Sequence, residues 1–244
     1  MADDLYLGFD RSDYPGDAVM QSLWDSVQRL TFVCLYLAPA PSHPGRSWMN
    51  AAPALASMGW GLLPTYVGQQ VIGPGSHIVT AEQGVRDAQD AASLASEAGL
   101  GSGAVLYLDI ENGGTMPPNQ VGYVTSWIKE VNTNTDYWAG VYCHRTTAPQ
   151  IESAVASIVA DVGHEVPTWT FGGPIDTGPR LVDLDTELPK DPAQSGYAEA
   201  IAWQYRMSYD GNIDLIWTDY DTGARKRLNK VDLDSAVTPN PMLA

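Results

Sequence analysis

Val105-Leu106-Tyr107-Leu108-Asp109-Ile110-Glu111-Asn112 is an apolar run that ends in two carboxylates one residue apart. In an extended strand successive side chains point to opposite faces, so Asp109 and Glu111 share one face while Leu106, Leu108 and Ile110 share the other. Two acids side by side at the end of a buried strand are costly, because like charges at short range raise one pKa and oppose folding. Such a pair persists where the cost serves proton transfer, charge stabilisation or metal binding. Taken alone, it also fits a strand that simply finishes in solvent.

Outward from this strand, strand-like and helix-like segments alternate in both directions. Toward the N-terminus the strands are Leu5–Asp10, Thr31–Leu37 and Leu62–Val67, separated by helical patterns over Asp17–Leu30, Trp48–Met58 and Thr80–Ala98. Gly59 stands where the second helix needs a left-handed residue to end, and Thr80-Ala81-Glu82-Gln83 has the spacing of a capping box. Toward the C-terminus come a helix over Pro118–Asn132, a strand over Tyr137–Cys143, a helix over Ala148–Ala160 and a strand over Val166–Phe171. The rhythm then weakens. Gly172–Gln194 reads as a long Pro- and Gly-rich loop with a short helical turn after it, Ala200–Tyr205 as strand seven and Lys230–Asp234 as strand eight. An apolar run, Ile213–Trp217, lies between those two strands.

Strand and helix repeating about eight times point to an α/β fold, a single TIM-type (β/α)8 barrel over residues 1–244 with shortened or irregular late helices. A doubly wound sheet is the competitor, but no strand is followed by Gly-x-Gly-x-x-Gly. In such a barrel the active site lies at the C-terminal ends of the strands. Leu5, Leu7 and Phe9 occupy one face of the first strand, which turns Asp10 inward. The same alternation turns Asp109 and Glu111 inward, and Asp232 inward beside Val231 and Leu233. First and eighth strands are neighbours in a closed barrel, so Asp10 and Asp232 are expected close together. Tyr36, Tyr66, Tyr142, Trp169, Phe171, Trp203 and Tyr205 end other strands. Acids ringed by aromatic faces suit a sugar-processing cleft, although each aromatic also fits an ordinary core position.

Composition narrows the partners. A formal net charge of −16 repels nucleic-acid phosphates, and the one basic cluster, Arg225-Lys226-Arg227, does not override it. No apolar run approaches the length of a membrane span, so no membrane insertion is expected. The start, Met-Ala-Asp-Asp, has neither the basic nor the apolar region of a secretory signal. The four histidines, His43, His77, His144 and His164, show no metal-ligand spacing, and acids alone would favour Mg²⁺ or Ca²⁺; no cofactor or metal is expected. Asp210-Gly211-Asn212 and Asp219-Tyr220-Asp221-Thr222-Gly223 read as turns before calcium loops. Cys34 and Cys143 fall in separate apolar runs and read as two buried free thiols.

Four motifs then occur in one order: Gly8-Phe9-Asp10-Arg11-Ser12, Asp109-Ile110-Glu111, Trp203-Gln204-Tyr205 and Val231-Asp232-Leu233-Asp234. They resemble the G-x-D-x-S, D-x-E, W-Q-Y and V-D-x-N motifs of glycoside hydrolase family 25 lysozymes. With Phe32-Val33-Cys34-Leu35-Tyr36-Leu37, the chain more closely resembles a bacterial glycoside-hydrolase-like domain of unknown function related to that family. The resemblance spans Gly8 to Asp234. It implies a glycoside hydrolase of muramidase type, cleaving a peptidoglycan-like cell-envelope polysaccharide at the cell envelope or outside the cell; a monomer is expected. It also implies Glu111 as general acid, Asp109 raising its pKa or positioning a substrate acetamide, and Asp10 and Asp232 holding charge or substrate. Tyr36, Tyr66, Tyr142, Trp169, Gln204 and Tyr205 are the expected sugar-binding residues. The alternative is a barrel of the same fold that binds carbohydrate without catalysis.

Overall fold

A computed structural model describes residues 5–173, 180–207 and 213–243. Eight strands close into a barrel: β1 (Tyr6–Asp10), β2 (Leu30–Tyr36), β3 (Gly61–Val67), β4 (Val105–Ile110), β5 (Trp138–His144), β6 (Thr168–Phe171), β8 (Ala202–Arg206) and β11 (Asp232–Ala236). A separate three-stranded sheet holds β7 (Leu181–Asp183), β9 (Asp214–Thr218) and β10 (Arg225–Asn229). Helices α1 (Asp17–Ser26), α2 (Ser47–Met58), α3 (Ala81–Glu97), α4 (Pro118–Asn134) and α5 (Ala148–Val162) connect the first six barrel strands. No helix among the described residues is long and apolar enough to cross a membrane.

Local chemistry sets these elements. Thr80 caps α3 by accepting from the Gln83 amide at 3.1 Å, and Ala88, Ala91, Leu94 and Ala95 then repeat at helical spacing on its buried face. Gly84 lets α3 lie against α4, because a Cβ there would stand 2.3 Å from the Tyr123 carbonyl oxygen. Gly59 ends α2 in the left-handed conformation at φ 98°.

Two differences from the sequence expectation concern the last third of the chain. Among the described residues no α-helix follows α5; short 3₁₀ turns at Pro192–Ser195 and Pro241–Leu243 and the small sheet stand instead. Val182, Leu215, Trp217 and Leu228 join the outer core that also holds Leu23 and Leu233, so this sheet covers barrel surface that helices cover elsewhere. Trp217 Nε1 ties it to α1 by donating to Ser22 Oγ at 3.0 Å. Asp219 to Gly223 forms the turn between β9 and β10, with Asp219 accepting from the Thr222 amide at 3.0 Å. Asp210 to Asn212 lies outside the described residues.

The second difference decides the site. β11 runs antiparallel to both of its neighbours, β1 and β8, whereas the other barrel strands are mutually parallel. Its first residue therefore stands at the rim where the parallel strands end, and Asp232 is the direct partner of Asp10.

Alternation separates two cores. Outward residues such as Leu7, Phe9, Leu106, Leu108, Ile110 and Val141 pack on the helices. Inward residues Phe32, Cys34, Leu63, Val105, Tyr107, Trp169, Ala202 and Ala236 fill the barrel itself. Gly140 makes room for Tyr107, whose ring lies 2.8 Å from where a Cβ would be, and Tyr107 Oη donates to the Pro241 carbonyl at 2.9 Å. The lower end of the barrel interior is thus packed shut. Cys34 lies inside and Cys143 outside the barrel wall; both are free and buried.

Candidate active site

Five carboxyl groups converge on the mouth from three strands. Asp10 ends β1, Asp109 lies one residue from the end of β4 and Glu111 follows that strand; Asp232 opens β11 and Asp234 lies two residues deeper. β4 and β11 are four strands apart in either direction around the eight-stranded barrel. Asp109 and Glu111 therefore face Asp232 and Asp234 across the mouth. Asp10, Asp109 and Asp234 are buried, Asp232 is partly buried and Glu111 is exposed.

Named hydrogen bonds fix Asp10. Tyr36 Oη donates to Asp10 Oδ1 at 3.3 Å and Gln204 Nε2 to Asp10 Oδ2 at 2.6 Å. Gln204 Oε1 in turn accepts from Tyr142 Oη at 2.8 Å. Trp169 Nε1 donates to Asp234 Oδ1 at 3.0 Å. His43 stacks on Tyr36 with ring centroids 4.4 Å apart, and Tyr142 lies against Trp169 and Phe171 at 4.1 and 5.0 Å.

On the facing wall, Gln70 holds the end of β4 by its backbone. Gln70 Nε2 donates to the Asp109 carbonyl at 3.0 Å, and Gln70 Oε1 accepts from the Glu111 amide at 3.2 Å. Asp109 Oδ1 is buried with no hydrogen-bond partner among the described residues.

Burial dominates the electrostatics. Loss of water, and next the Asp232 charge, push Asp10 up to about 7 against the donors that oppose the shift. Asp109 is raised well above the carboxylate range by burial, then by Glu111 and Asp10. Glu111 is raised by burial alone. The family resemblance implies that Asp109 either raises the pKa of Glu111 or positions a substrate acetamide. The geometry orders the pair the other way: Asp109, deeper and lacking a donor on Oδ1, keeps its proton more firmly, and Glu111 owes its shift to the walls of the mouth.

Of the expected sugar-binding residues, Tyr36 and Gln204 bond to Asp10, and Tyr142 bonds to Gln204 behind it. Trp169 also points inward, but it is 1% exposed and serves as a donor to Asp234 rather than as an open face. Tyr66 and Tyr205 are corrected outright. Tyr66 lies in the outer core and donates to Asp90 Oδ2 on α3 at 2.9 Å. Tyr205 lies on the outer side beside Gln204 and donates to Glu187 Oε1 at 3.2 Å. Adjacent residues of a strand cannot share a face, so Gln204 inward places Tyr205 outward.

Asp234, Gln70 and His43 were not among the expected site residues. Asp234 was findable, since it has the parity of Asp232; Gln70 and His43 sit in loops that no periodicity marks. Among the described residues no three His, Cys, Asp or Glu side chains are grouped to hold a metal ion.

A closed barrel with acids gathered at its mouth is the architecture of glycoside-hydrolase-like proteins. The chain belongs to the Rv2525c-like, glycoside hydrolase-like domain family, whose model matches residues 25–228. That span includes Asp109 and Glu111 and excludes Asp10, Asp232 and Asp234. A B. stearothermophilus protein of known structure is similar at TM-score 0.61 and 19% identity, over 95% of each chain. The Mycobacterium tuberculosis Tat-secreted protein Rv2525c, solved with L-tartrate, is similar at TM-score 0.58 and 14% identity over 100% of each chain. The Streptococcus pneumoniae modular autolysin LytC, solved with a synthetic peptidoglycan ligand, gives TM-score 0.55 and 13% identity over 95% of this chain and 46% of that one. At these identities the likeness is one of fold. No curated protein matches the chain.

Proposed function

We propose that the protein is a glycosidase acting on a bacterial cell-envelope polysaccharide of the peptidoglycan type, with Glu111 as the general acid. The observation that carries this reading is the placement of Glu111: exposed at the mouth, yet with its carboxyl raised by the surrounding walls. A glycan seated over it removes further water and lifts it again, so that it holds a proton for the glycosidic oxygen near neutral pH. Asp109 lies beneath it. Its Oδ1, buried and without a hydrogen-bond partner among the described residues, would be satisfied by a substrate N–H or O–H that reaches it.

Across the mouth, Asp10 and Asp232 supply the negative charge that an oxocarbenium-like centre needs. Gln204 and Tyr36 aim Asp10 there, and the His43–Tyr36 stack forms an aromatic edge for a sugar ring. The fold likeness to LytC, solved with a peptidoglycan ligand, supports this substrate class over other glycans. The test is incubation with purified peptidoglycan and with other envelope glycans, followed by mass spectrometry of the products. New reducing ends from peptidoglycan support the reading. No product from any glycan, with binding retained, replaces it by a non-catalytic sugar-binding barrel.

A further inference from the structure

Asp234 is fully buried, at 0% exposure, inside a barrel that gives it one donor. Trp169 Nε1 satisfies Oδ1; Oδ2 receives no N–H or O–H from any described group. What does lie against it is Asp10. Asp234 is the register partner of Gly8, two residues from Asp10 on the same inner face, so the two carboxyl groups are diagonal neighbours on adjacent strands. Two carboxyl groups so placed can satisfy each other by a hydrogen bond only when one of them carries a proton.

The surroundings decide which one. Asp10 receives two donors, Tyr36 Oη and Gln204 Nε2, and so is the better solvated anion. Asp234 has one donor and lies deeper. The other titratable groups acting around this pocket are Asp232 on the same strand, Asp109 on β4, Cys34 and Tyr36 on β2, and Tyr142 on β5. All of them are acids or weak acids. Arg206 on β8 is engaged by Glu187 at 3.4 Å.

We propose that Asp234 is a carboxylic acid held neutral through the working pH range, whose Oδ2 proton is donated to Asp10 and fixes Asp10 as the charged member of the pair. Its role as a positioning residue that acts through Asp10 rests on the glycosidase reading; its protonation does not, and the test uses no activity. A neutral donor at this depth completes the hydrogen-bonding of the inner mouth without a second buried charge. No proton leaves the pair: it is shared along one hydrogen bond.

The test compares wild type with Asp234→Asn, which keeps a donor, and Asp234→Leu, which has a similar size and no donor. Infrared difference spectra at about pH 8 should show that the Asn variant has lost one neutral carboxylic-acid C=O band present in the wild type, distinct from the band that Asp109→Asn removes. The thermal midpoint of Asp234→Asn should lie within about 2 °C of wild type, and that of Asp234→Leu should fall by more than about 4 °C. An Asn variant with every carboxylic-acid band intact overturns the proposal, because Asp234 was then ionised. Equal destabilisation of both variants overturns it too, because a donor at this position then has no value. If the Leu variant does not fold, the bands of the Asn variant alone decide.

Discussion

Replacing Asp10 by asparagine should make the protein more stable above neutral pH and remove much of its pH dependence. The Asp10 carboxyl moves from 3.8 to about 7 on folding. At ~1.36 kcal/mol per unit, a shift of about three units amounts to on the order of 4 kcal/mol. The direction follows from linkage. Below the ordinary carboxylate range the group is neutral in both folded and unfolded chains, and its contribution to stability is fully present. As pH rises toward and through 7 the unfolded chain has released its proton while the folded chain resists, so stability falls. The substituted amide is neutral throughout. Its oxygen still accepts from Gln204 Nε2, and its amide nitrogen faces Tyr36 Oη, which turns from donor to acceptor at a cost of about 1 kcal/mol. The expected result is Asp10→Asn equal to or slightly below wild type near pH 4 and more stable by about 2–3 kcal/mol near pH 8. Guanidinium unfolding at both pH values measures this. The net charge of −16 adds its own decline with pH, so an exposed control, Asp161→Asn, is run alongside. If wild type and Asp10→Asn lose stability in parallel, Asp10 titrates normally and the buried-acid account of the mouth is wrong.

Gln70→Leu should destabilise the chain by about 1–3 kcal/mol, because it leaves the Glu111 amide and the Asp109 carbonyl without their partner; chemical denaturation measures it. On the glycosidase reading the same variant should lower kcat more than it raises KM, since Glu111 is displaced while most of the sugar surface remains. Gly8→Ala should cost about 1–3 kcal/mol by overpacking, since the new Cβ would meet the Phe32 ring at 2.2 Å; a thermal midpoint equal to wild type would contradict the packing described for the barrel interior. A thiol reagent should find no reactive group in the folded protein and two after unfolding, given that Cys34 and Cys143 are buried and free. Fewer than two after unfolding would sink that assignment.

The fold was legible where one face of a segment differed from the other. The D-x-E strand, the capped α3 and the Gly59 stop each carried their own signal, and five strand–helix repeats followed. Strand direction was not legible: Val231-Asp232-Leu233-Asp234 alternates identically in a parallel or an antiparallel strand. Both directions place the acids inward, so Asp232 was correctly paired with Asp10 while the reversed strand went unseen. The replacement of late helices by a small sheet was hidden in a Pro- and Gly-rich stretch whose apolar run, Ile213–Trp217, is too short to separate strand from helix. Tyr66 was misplaced because β3 is buried on both faces and offers no polar alternation to orient it. Gln70 acts from a loop, and no pattern in the sequence marks that its amide spans two backbone groups at the end of β4.

The account turns on Glu111 as proton donor, and Glu111→Gln tests this most directly. Glutamine keeps the shape and the hydrogen-bonding reach and removes the transferable proton. Product release from purified peptidoglycan should fall by roughly 10²–10⁴-fold while the thermal midpoint stays unchanged or rises slightly, since a charge beside Asp109 is gone. A fully active Glu111→Gln protein would contradict the account, and one that fails to fold would mean the pair serves structure rather than chemistry.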